Sequence, residues 1–415
     1  MKGPLENIKI VELATMAAVP MAGRLLSEWG AEVIHIEHPV TGDPWRGWLT
    51  QSGIEFPTRL EYQFWENYNR NKRSLTLDVN TEAGREILNK LVAEADVFTT
   101  NRRPFELEKF HLDYETLSAK NKRLIFASIT GFGRKGPDKN APGHDTIGFW
   151  ARSGFVYQMQ QKGSAPPSPG YRSVAAGDKL SGMTLACGIL VAILARQTTG
   201  VGQEVDVSLL NTGMFSQIPL ATQLGGFKDL FETEEEYLGA LRRERDEVSP
   251  LVISYETGDG RWLQLSLAPS DRFWPQFCGA IERPELEHDP RFDSVENRLE
   301  YQADLFEILE AVFLKKTLAE WTDQFEQTEL IWSPIKNPEE VIQDPQVLAN
   351  EYIIPYQHPE FGELQVLANP IQHSQTKAEI RSPAPELSQH TEEILLELGY
   401  SWDQIERLRE DGVIF

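Results

Sequence analysis

The segment from Val174 to Arg196 places one acidic residue, Asp178, at the start of an apolar helix. Gly177 directly before it gives the backbone freedom to turn. The apolar residues that follow recur at helical spacing, at Leu180, Met183, Cys187, Leu190 and Leu194. This stripe predicts a helix that packs into a core, with the Asp178 carboxylate at the rim of the interior and beside the positive end of the helix dipole. Asp178 is then either an N-cap, which the helix alone favours, or a nucleophile.

Basic and amide side chains lie next to two of the predicted strands. They are Asn71, Lys72 and Arg73 before one strand, and Asn101, Arg102 and Arg103 after the next. Arginine pairs well with phosphate, and amides at helix starts add further donors. Together the clusters indicate a site for a phosphate-bearing ligand, although each cluster taken alone is better explained by a solvated charged loop.

A loop rich in glycine and proline, from Gly131 to Asp145, ends on the sequence Gly-His-Asp. Its glycines allow the backbone to approach a ligand closely. His144 and Asp178 become neighbours if this loop and the start of the Asp178 helix line one cleft. Otherwise the segment is an ordinary surface loop with a histidine near a helix cap.

Several other catalytic patterns are absent from the sequence. It contains no G-x-S-x-G elbow, no H-E-x-x-H motif and no Walker loop, and its eight histidines show no metal-ligand spacing. The chemistry that remains is a carboxylate nucleophile or an acid–base pair, without a metal ion.

The elements that position these residues alternate between strand and helix patterns. The predicted strands are Ile8–Ala14, Ala31–Glu37, Ser74–Val79, Asp96–Thr100, Arg123–Ile129 and, after the Asp178 helix, Glu204–Leu210. A helix from Pro20 follows the first strand, and a long aromatic-rich connection spans Pro39–Asn71. The alternation predicts an α/β fold on a doubly wound, Rossmann-like parallel sheet, with the ligand site at the carboxyl ends of the strands. The first strand lacks the G-x-G-x-x-G that a nicotinamide dehydrogenase requires.

A chain of 415 residues is longer than a single hydrophobic core usually supports, so we expect two domains. We predict a large domain formed by residues 1–225 and 345–415, with a linker and a smaller α+β domain over residues 226–344. The linker begins in the highly charged run Phe227–Val248, and a hairpin over Leu251–Ala268 opens the small domain.

The formal net charge of -23 argues against nucleic acid or an anionic membrane as partners, and an anionic small molecule would need a local basic pocket. The two cysteines, Cys187 and Cys278, lie among apolar residues and are predicted to be buried free thiols. The first residues show no signal-peptide pattern, and no apolar stretch is expected to cross a bilayer. We therefore expect a cytoplasmic protein.

Segments along nearly the whole chain resemble the class III CoA-transferases, the family of the formyl-CoA, carnitine and phenyllactate CoA-transferases. These segments are VELATMAAVPMAGRLLSEWGAEVIHIE, GDPWR, NRNKRSLTLDV, TNRRP, ITGFGRKGP, GDKLSGM, TTGVGQEVDVSLL, NRLEYQADLFEILE and HTEEILLELGY. The glycine-rich loop and the segment SPLVISYETGDGRW are most similar to the transferases of phenyllactate and other 2-hydroxy acids.

This resemblance implies which residues form the site. The family's catalytic aspartate corresponds to Asp178, and its CoA-binding positions correspond to Met16, Ala17, His38, Leu77, Asp78, Val79, Asn80, Asn101, Arg102, Arg103, Lys109, Gly143, His144 and Asp145. The resemblance also implies an interlocked homodimer, with coenzyme A and acyl-CoA as substrates and no permanently bound cofactor. The chain departs from the family at His38 and Lys109, where some relatives have arginine. It also has no counterpart of the glycine-run loop over the formyl-CoA enzyme's active site.

The reaction that the resemblance implies is transfer of CoA from an acyl-CoA to a carboxylic acid, through an aspartyl-CoA thioester on Asp178. An aryl or branched 2-hydroxy acid is the expected substrate, in an apolar pocket. The aromatics that either line this pocket or lie in the core are Trp45, Trp48, Phe149, Trp150, Phe155 and Tyr157. One alternative is a racemase that moves the α-proton of an acyl-CoA with His144 and Asp178, and another is a non-catalytic CoA-binding protein.

Overall fold

The computed structural model of the protein describes residues 3–51, 57–160, 165, 167–168, 175–241 and 248–415. The chain divides into two compact units. Unit 1 comprises Met1–Tyr157, Pro167–Gly225 and Glu351–Phe415, and unit 2 comprises Gln158–Pro166 and Gly226–Asn350. The chain therefore leaves unit 1 and later returns to it.

The centre of unit 1 is a single parallel sheet. Its strands are β1 (Lys9–Leu13), β2 (Glu32–Glu37), β3 (Arg73–Thr76), β4 (Val97–Thr100), β5 (Ile125–Thr130) and β6 (Glu204–Ser208). Their order is β3-β2-β1-β4-β5-β6. β1 pairs with β2 on one side and with β4 on the other, so that Ile10 lies opposite both Val33 and Val97. The chain is wound in two directions from β1, which confirms the predicted doubly wound parallel sheet.

Helices cover both faces of this sheet. The helices up to residue 225 are, in chain order, α1 (Ala18–Glu28), α2 (Trp48–Gln51), α3 (Thr58–Asn69), α4 (Glu82–Glu94), α5 (Pro104–Phe110), α6 (Tyr114–Lys120), α7 (Phe155–Gln158), α8 (Ala176–Thr199), α9 (Leu209–Phe215) and α10 (Ile218–Leu224). Short turns of 3-10 and π helix cover Pro44–Gly47 and Thr146–Ala151. Because successive side chains of a strand point to opposite faces, Ile10 packs among residues of α1 and α8, whereas Val11 packs among residues of α4.

Unit 2 is a smaller mixed structure with its own core. It contains α11 (Glu234–Leu241), the antiparallel strands β7 (Ser254–Glu256), β8 (Trp262–Leu265) and β9 (Trp332–Pro334), and the helices α12 (Ser270–Ala280), α13 (Val295–Glu300), α14 (Gln302–Phe313), α15 (Leu318–Phe325), α16 (Pro338–Ile342) and α17 (Pro345–Ala349). Tyr255, Phe313 and Trp321 pack together in its core, and Cys278 is buried there as predicted. The returning chain adds the hairpin β10 (Ile353–His358) and β11 (Gly362–Leu367), then α18 (Thr391–Glu397) and α19 (Trp402–Glu410).

The segment predicted as a long connection between β2 and β3 contains helix α3, which the sequence pattern did not predict. α3 buries Trp65 and Tyr68, three positions apart, in an apolar cluster with Met21 and Leu25 of α1. The other face of α3 carries both polar and partly exposed aromatic residues. The helical spacing of the buried residues is therefore not visible in the sequence. The remaining part of that connection, residues 52–56, lies outside the described residues.

The side of α8 that faces the core is not the predicted one. Its buried residues are Gly177, Ser181, Gly182, Leu185, Ala186, Ile189, Ala192, Ile193 and Arg196. Of the stripe predicted to be buried, only Leu190 packs against the core. The other four residues lie at the surface: Leu180 and Met183 are each 37% exposed, Leu194 is 65% exposed, and Cys187 is exposed. With Val191, which is 59% exposed, these four residues form the exposed stripe of α8. Because the helix is apolar around most of its circumference, spacing alone does not select the stripe. Small residues select it, since they let α1 and the sheet approach closely.

α8 also corrects the expectation that no apolar stretch could cross a bilayer. It has 24 residues, a mean hydropathy of 1.6 over its most apolar window, and 39% of that window buried. By length and composition alone, α8 could therefore span a membrane. Core helices of globular domains can meet the same two criteria. In this fold α8 packs against α1, β5 and β6.

Candidate active site

The loops that follow β1 and β4 lie side by side at the carboxyl edge of the sheet, where the strand order reverses. In doubly wound sheets, ligands bind at this switch point. Asn101 joins the two loops: its Oδ1 accepts a hydrogen bond from the Thr15 amide at 3.1 Å, and its Nδ2 donates to the Thr15 carbonyl at 2.7 Å. One of the predicted CoA-binding residues therefore also fixes the shape of the crevice.

Met16, the next residue of the first loop, has a φ of 70°, a left-handed conformation that is uncommon for methionine. Its amide donates to both carboxylate oxygens of Asp43 at 3.1 Å. Asp43 is buried, and its Oδ1 also accepts a hydrogen bond from the Trp45 amide at 2.7 Å. The sequence analysis did not single out Asp43, yet this residue holds the backbone of the Met16 loop in place.

Asp43 belongs to a buried group of charged side chains, which we call the ionic cluster: Glu12, His35, Asp43 and Lys72. Glu12 Oε1 lies 2.7 Å from His35 Nδ1 and 2.6 Å from Lys72 Nζ, and His35 Nε2 lies 3.4 Å from Asp43 Oδ2. Burial disfavours the His35 cation, but hydrogen bonds to Asp43 and Glu12 outweigh it and raise the pKa of His35 to about 9. Burial likewise opposes ionisation of Glu12, but Lys72 and His35 lower its pKa. Opposite charges are thus matched throughout the ionic cluster.

Close packing of α1 against α8 brings the two halves of the site together. At Gly182, a Cβ atom would lie 2.5 Å from the Ala18 carbonyl oxygen and 2.9 Å from Met21 Cβ. No larger residue fits there without moving α1. The first turn of α8 consequently lies against the loop of Met16 and Ala17.

Asp145 caps the first turn of α8 from another part of the chain. Its Oδ1 accepts a hydrogen bond from the Asp178 amide at 2.9 Å, and its Oδ2 accepts one from Trp150 Nε1 at 3.0 Å. The N-cap residue of α8 is Ala175, with a left-handed φ of 64°, so Asp178 lies inside the first turn. The N-cap interpretation of Asp178 is therefore wrong, because Asp145 supplies the acceptor that an N-cap would provide.

Gly177 is required between Asp145 and Asp178 because there is no room for a side chain. A Cβ atom at this position would lie 2.2 Å from Phe149 Cγ and 2.4 Å from Asp145 Oδ1. Asp145 can reach the amides of α8 only because this position is a glycine.

The Asp178 carboxylate has no hydrogen-bond or ion-pair partner among the residues that the structure describes. Burial disfavours its charged form, the negative charge of Asp145 disfavours it further, and together they raise the pKa of Asp178 to about 7. Asp178 therefore remains partly ionised at neutral pH without a fixed counter-charge. This is the state that a carboxylate nucleophile requires.

Asp178 opens into a cavity of about 330 Å³ at the switch point, which we call the first cavity. Its lining includes eight of the predicted site residues: Met16, Ala17, Asn101, Arg102, Arg103, Gly143, His144 and Asp178. His144 and Asp178 thus line one cleft, as the sequence analysis required for the two residues to be neighbours. The lining also includes Thr15, at the end of β1 where the ligand site was expected, and residues that were not predicted, among them Glu106 and Lys139. Lys139 lies within the glycine-rich loop, so its position in that loop was the available signal.

The other predicted CoA-binding residues lie outside the first cavity. His38 and the segment Leu77–Asn80 follow β2 and β3 at the same carboxyl edge of the sheet. Leu77 and Val79 are buried in the core, and Asp78 Oδ1 accepts hydrogen bonds from the amide and side chain of Asn80. Lys109 lies in the last turn of α5, and Asp145 is buried beneath the cavity. Of these residues, only Asp145 contacts Asp178, through the hydrogen bond to its backbone amide.

The cluster Asn71–Arg73 does not join Asn101–Arg103, contrary to the expectation of a shared phosphate site. It precedes β3 and therefore lies at the amino edge of the parallel sheet, whereas Asn101–Arg103 follow β4 at the carboxyl edge. Lys72 is buried in the ionic cluster, and Arg73 pairs with Glu32 and Glu397. The two clusters are separated by the length of a strand, so they cannot bind the same phosphate.

None of the six aromatic residues proposed for an acyl pocket lines the first cavity. Phe149, Trp150 and Phe155 pack against one another on the α8 face of the sheet. Trp45 is 2% exposed and stacks on Trp48. Within the described residues, no group of three or more histidine, cysteine or acidic side chains is placed to hold a metal ion.

A doubly wound sheet with an unpaired carboxylate at its switch point is the arrangement that the family resemblance implied. Residues 5–391 match the model of CoA-transferase family III. The chain belongs to this family, and the alternative of a non-catalytic CoA-binding protein is set aside.

Individual members of the family are similar over almost the full length. The chain is 34% identical to the cinnamoyl-CoA:phenyllactate CoA-transferase of Clostridium sporogenes, covering 98% of this chain and 96% of that protein. It is also 34% identical to the (R)-2-hydroxy-4-methylpentanoate CoA-transferase of Clostridioides difficile, covering 99% of each. Among solved structures, a CAIB/BAIF family protein from Brucella suis superposes with a TM-score of 0.79 at 29% identity, covering 96% of this chain and 100% of that one.

Proposed function

We propose that this CoA-transferase moves CoA from an acyl-CoA donor to a 2-hydroxy carboxylic acid, and that Asp178 carries the CoA between them. The observation that supports the proposal is the Asp178 carboxylate, which faces the first cavity without a described partner while Asp145 fixes its backbone. Relatives that act on phenyllactate and on 2-hydroxy-4-methylpentanoate support the substrate class.

In the first half of the reaction, an Asp178 oxygen attacks the thioester carbonyl of the donor and CoA thiolate leaves, which gives a mixed anhydride. The thiolate then attacks the aspartyl carbonyl, forms an aspartyl-CoA thioester and releases the donor acid. In the second half, a carboxylate oxygen of the incoming acid attacks this thioester, CoA thiolate leaves again, and the thiolate attacks the acyl carbonyl of the new anhydride. The new acyl-CoA departs and Asp178 is a carboxylate again, with one thioester exchanged for another and no metal or bound cofactor needed.

The chain's own residues supply positioning and charge in this scheme. Asp145 holds the amide of Asp178, and the carboxylate of Asp178 is thereby aimed into the cavity. Arg102, Arg103 and Lys139 line the same space and would pair with CoA phosphates. The rest of CoA would extend along the carboxyl edge of the sheet towards His38 and Leu77–Asn80, the remaining positions that the family resemblance assigns.

We further propose that the enzyme is a homodimer in which the exposed stripe of α8 lies against a second copy. Leu194 and Val191 of this stripe are 65% and 59% exposed, and Phe215 at the end of α9 is 91% exposed. Apolar surface of this extent next to a catalytic helix fits burial in an obligate interface. Sedimentation of the purified protein tests this: a dimer is expected, and a monomer at micromolar concentration would contradict it.

The test of the proposed function is CoA exchange followed by product analysis. With cinnamoyl-CoA as donor, phenyllactate and 2-hydroxy-4-methylpentanoate should each yield their CoA thioesters. The corresponding acids without the hydroxyl group should react at least about tenfold less efficiently, which corresponds to about 1.4 kcal/mol of transition-state binding. Free-acid release without a new thioester would show a hydrolase, and equal use of all acids would remove the substrate class.

A racemase is the second candidate function, because His144, its expected base, lines the first cavity with Asp178. A racemase would exchange the α-proton of an acyl-CoA with solvent in the absence of a second acid. In deuterated water the proposal predicts no deuterium at the α-carbon of 2-hydroxyacyl-CoA, and its incorporation at the rate of turnover would establish the racemase.

A further inference from the structure

Unit 1 contains another cavity, of about 380 Å³, which we call the second cavity. It is lined on one side by the aromatic residues Trp45, Phe64 and Tyr68, and on the other by Gln365, Val366 and Leu367 of β11. Two cations, Arg70 and Lys179, also line it, together with the amide side chains of Gln63 and Asn67. Its volume lies within the range of small-molecule sites, and its lining combines aromatic rings with positive charge.

The second cavity lies next to the catalytic turn of α8. Lys179 directly follows Asp178, and the two residues line the second and the first cavity respectively. Trp45 and Tyr68 pack in one apolar cluster with Met16 and Ala17, which line the first cavity. The negative charges of Asp178 and Asp145 add to burial in raising the pKa of the Tyr68 hydroxyl, so that ring is within electrostatic reach of the nucleophile.

The two cations that line the second cavity differ in their partners. Arg24 and Arg70 share a single carboxylate, Glu28, whose Oε1 lies 2.8 Å from Arg24 Nε and 2.6 Å from Arg70 Nε. Arg70 is 1% exposed, and its Nη1 has no hydrogen-bond partner in the described part of the chain. Lys179 has no ion pair there either, and its ammonium lies 5.8 Å from the centre of the Tyr68 ring. The Lys179 ammonium is therefore a cation in the lining of the second cavity that has no ion pair within the described residues.

An unpaired cation and a buried donor without an acceptor are unfavourable unless an anion completes them. The first cavity already provides cations for the phosphates of CoA, namely Arg102, Arg103 and Lys139. The other anions in the reaction are free carboxylic acids. The donor's acid leaves as the first product, and a different acid enters as the second substrate.

We propose that the second cavity is the pocket for the acid substrate and that Lys179 is its specificity-determining residue. This pocket rests on the proposed function. The carboxylate of the acid binds the Lys179 ammonium, and the aryl or branched side chain of the acid lies among Trp45, Phe64 and Tyr68. One carboxylate oxygen then attacks the Asp178 thioester carbonyl and CoA thiolate leaves.

The test separates binding of the acid from binding of the acyl-CoA. Lys179→Met removes the charge and keeps the length of the side chain. With cinnamoyl-CoA saturating, it should raise the KM for phenyllactate at least tenfold, while the KM for cinnamoyl-CoA changes less than threefold, because a thioester carries no carboxylate charge. Lys139→Met, the matched change in the first cavity, should show the reverse. Lys179→Arg should recover most of the acid affinity.

A binding measurement keeps this inference independent of the proposed chemistry. In Asp178→Asn, which cannot form an adduct, phenyllactate should quench the fluorescence of Trp45, and adding Lys179→Met should weaken that binding at least tenfold. If Lys179→Met leaves the affinity for the acid unchanged in both measurements, or instead raises the KM for cinnamoyl-CoA, the assignment of the second cavity is wrong. If the acid binds as predicted but wild-type protein forms no aspartyl adduct, the proposed function fails and the pocket stands.

Discussion

Two buried carboxylates near the Met16 loop, Glu12 in the ionic cluster and Asp178 at the start of α8, have different surroundings. In the ionic cluster, Glu12 is fully buried and contacts both Lys72 and His35, so its pKa is lowered in spite of burial. At the start of α8, Asp178 has no described partner, and burial with the nearby Asp145 raises its pKa to about 7. The paired carboxylate holds two cations inside the fold, and the unpaired one is left available for chemistry.

The comparison teaches that burial alone does not identify a functional carboxylate. A buried charge with matched partners contributes to structure, and removing one partner leaves the other uncompensated. A carboxylate that is held by its backbone but lacks a counter-charge is a candidate for reaction. The following changes test this contrast, in order of the size of their expected effect on stability or ionisation.

The largest effect is expected for Glu12→Gln in the ionic cluster. It leaves Lys72 and His35 without their shared carboxylate, and such a loss lowers the free energy of unfolding by about 3–5 kcal/mol. Denaturant titration should show this loss at neutral pH. Loss of activity with full stability would mean that Glu12 acts in the reaction rather than in the fold.

Gly177→Ala tests the backbone on the other side of the contrast. The new methyl group would overlap Phe149 and Asp145 and displace the carboxylate that caps α8. We expect a loss of about 1–3 kcal/mol in stability and a larger proportional loss in kcat. Gly188→Ala on the same helix, where the nearest atom is the Val205 side chain at 2.6 Å, should cost less and leave kcat nearly unchanged; equal effects on kcat would contradict the account.

Asp178→Asn should stabilise the fold at pH 8, in contrast to Glu12→Gln. Because the folded-state pKa of Asp178 is raised above its ordinary value, the folded state binds this proton more tightly. Its contribution to stability is lost as pH rises from about 4 to about 7. At pH 8 the variant should be more stable than the wild type by about 2 kcal/mol, a value reduced for screening by solvent in the cavity. At pH 4 the difference should vanish, and a difference that does not depend on pH would mean that Asp178 has an ordinary pKa.

The smallest effect is expected for Asp145→Asn. The amide oxygen can still accept the hydrogen bond from the Asp178 backbone, while the negative charge is removed. The amide nitrogen takes the place of the oxygen that accepts from Trp150 Nε1, so that hydrogen bond is lost as well. Since that charge is the second cause of the raised pKa, after burial, the pH midpoint of kcat/KM should move down by less than about one unit. A midpoint that moves up would show that Asp145 stabilises the ionised form.

The sequence predicted the sheet and the family but not the contacts between elements. The alternation of strand and helix patterns along the chain predicted the doubly wound fold. The strands could be recognised because buried parallel strands are continuous apolar runs. The buried stripe of α8 was misplaced because a helix that is apolar on several sides can pack on any of them, and only the fit of Gly182 against Ala18 decides. The capping role of Asp145, 33 positions from Asp178, could not be read from local spacing, since an N-cap search looks only at adjacent residues.

The central claim, that Asp178 binds CoA covalently, is tested most directly by mass spectrometry of protein quenched during turnover with cinnamoyl-CoA. The peptide containing Asp178 should carry the mass of CoA less one water, and hydroxylamine should convert that residue to its hydroxamate. Asp178→Asn should show neither change, whereas Asp304→Asn, at an exposed position of α14, should show both. An unmodified Asp178 peptide in wild-type protein that is turning over, or an adduct on another residue, would contradict the account.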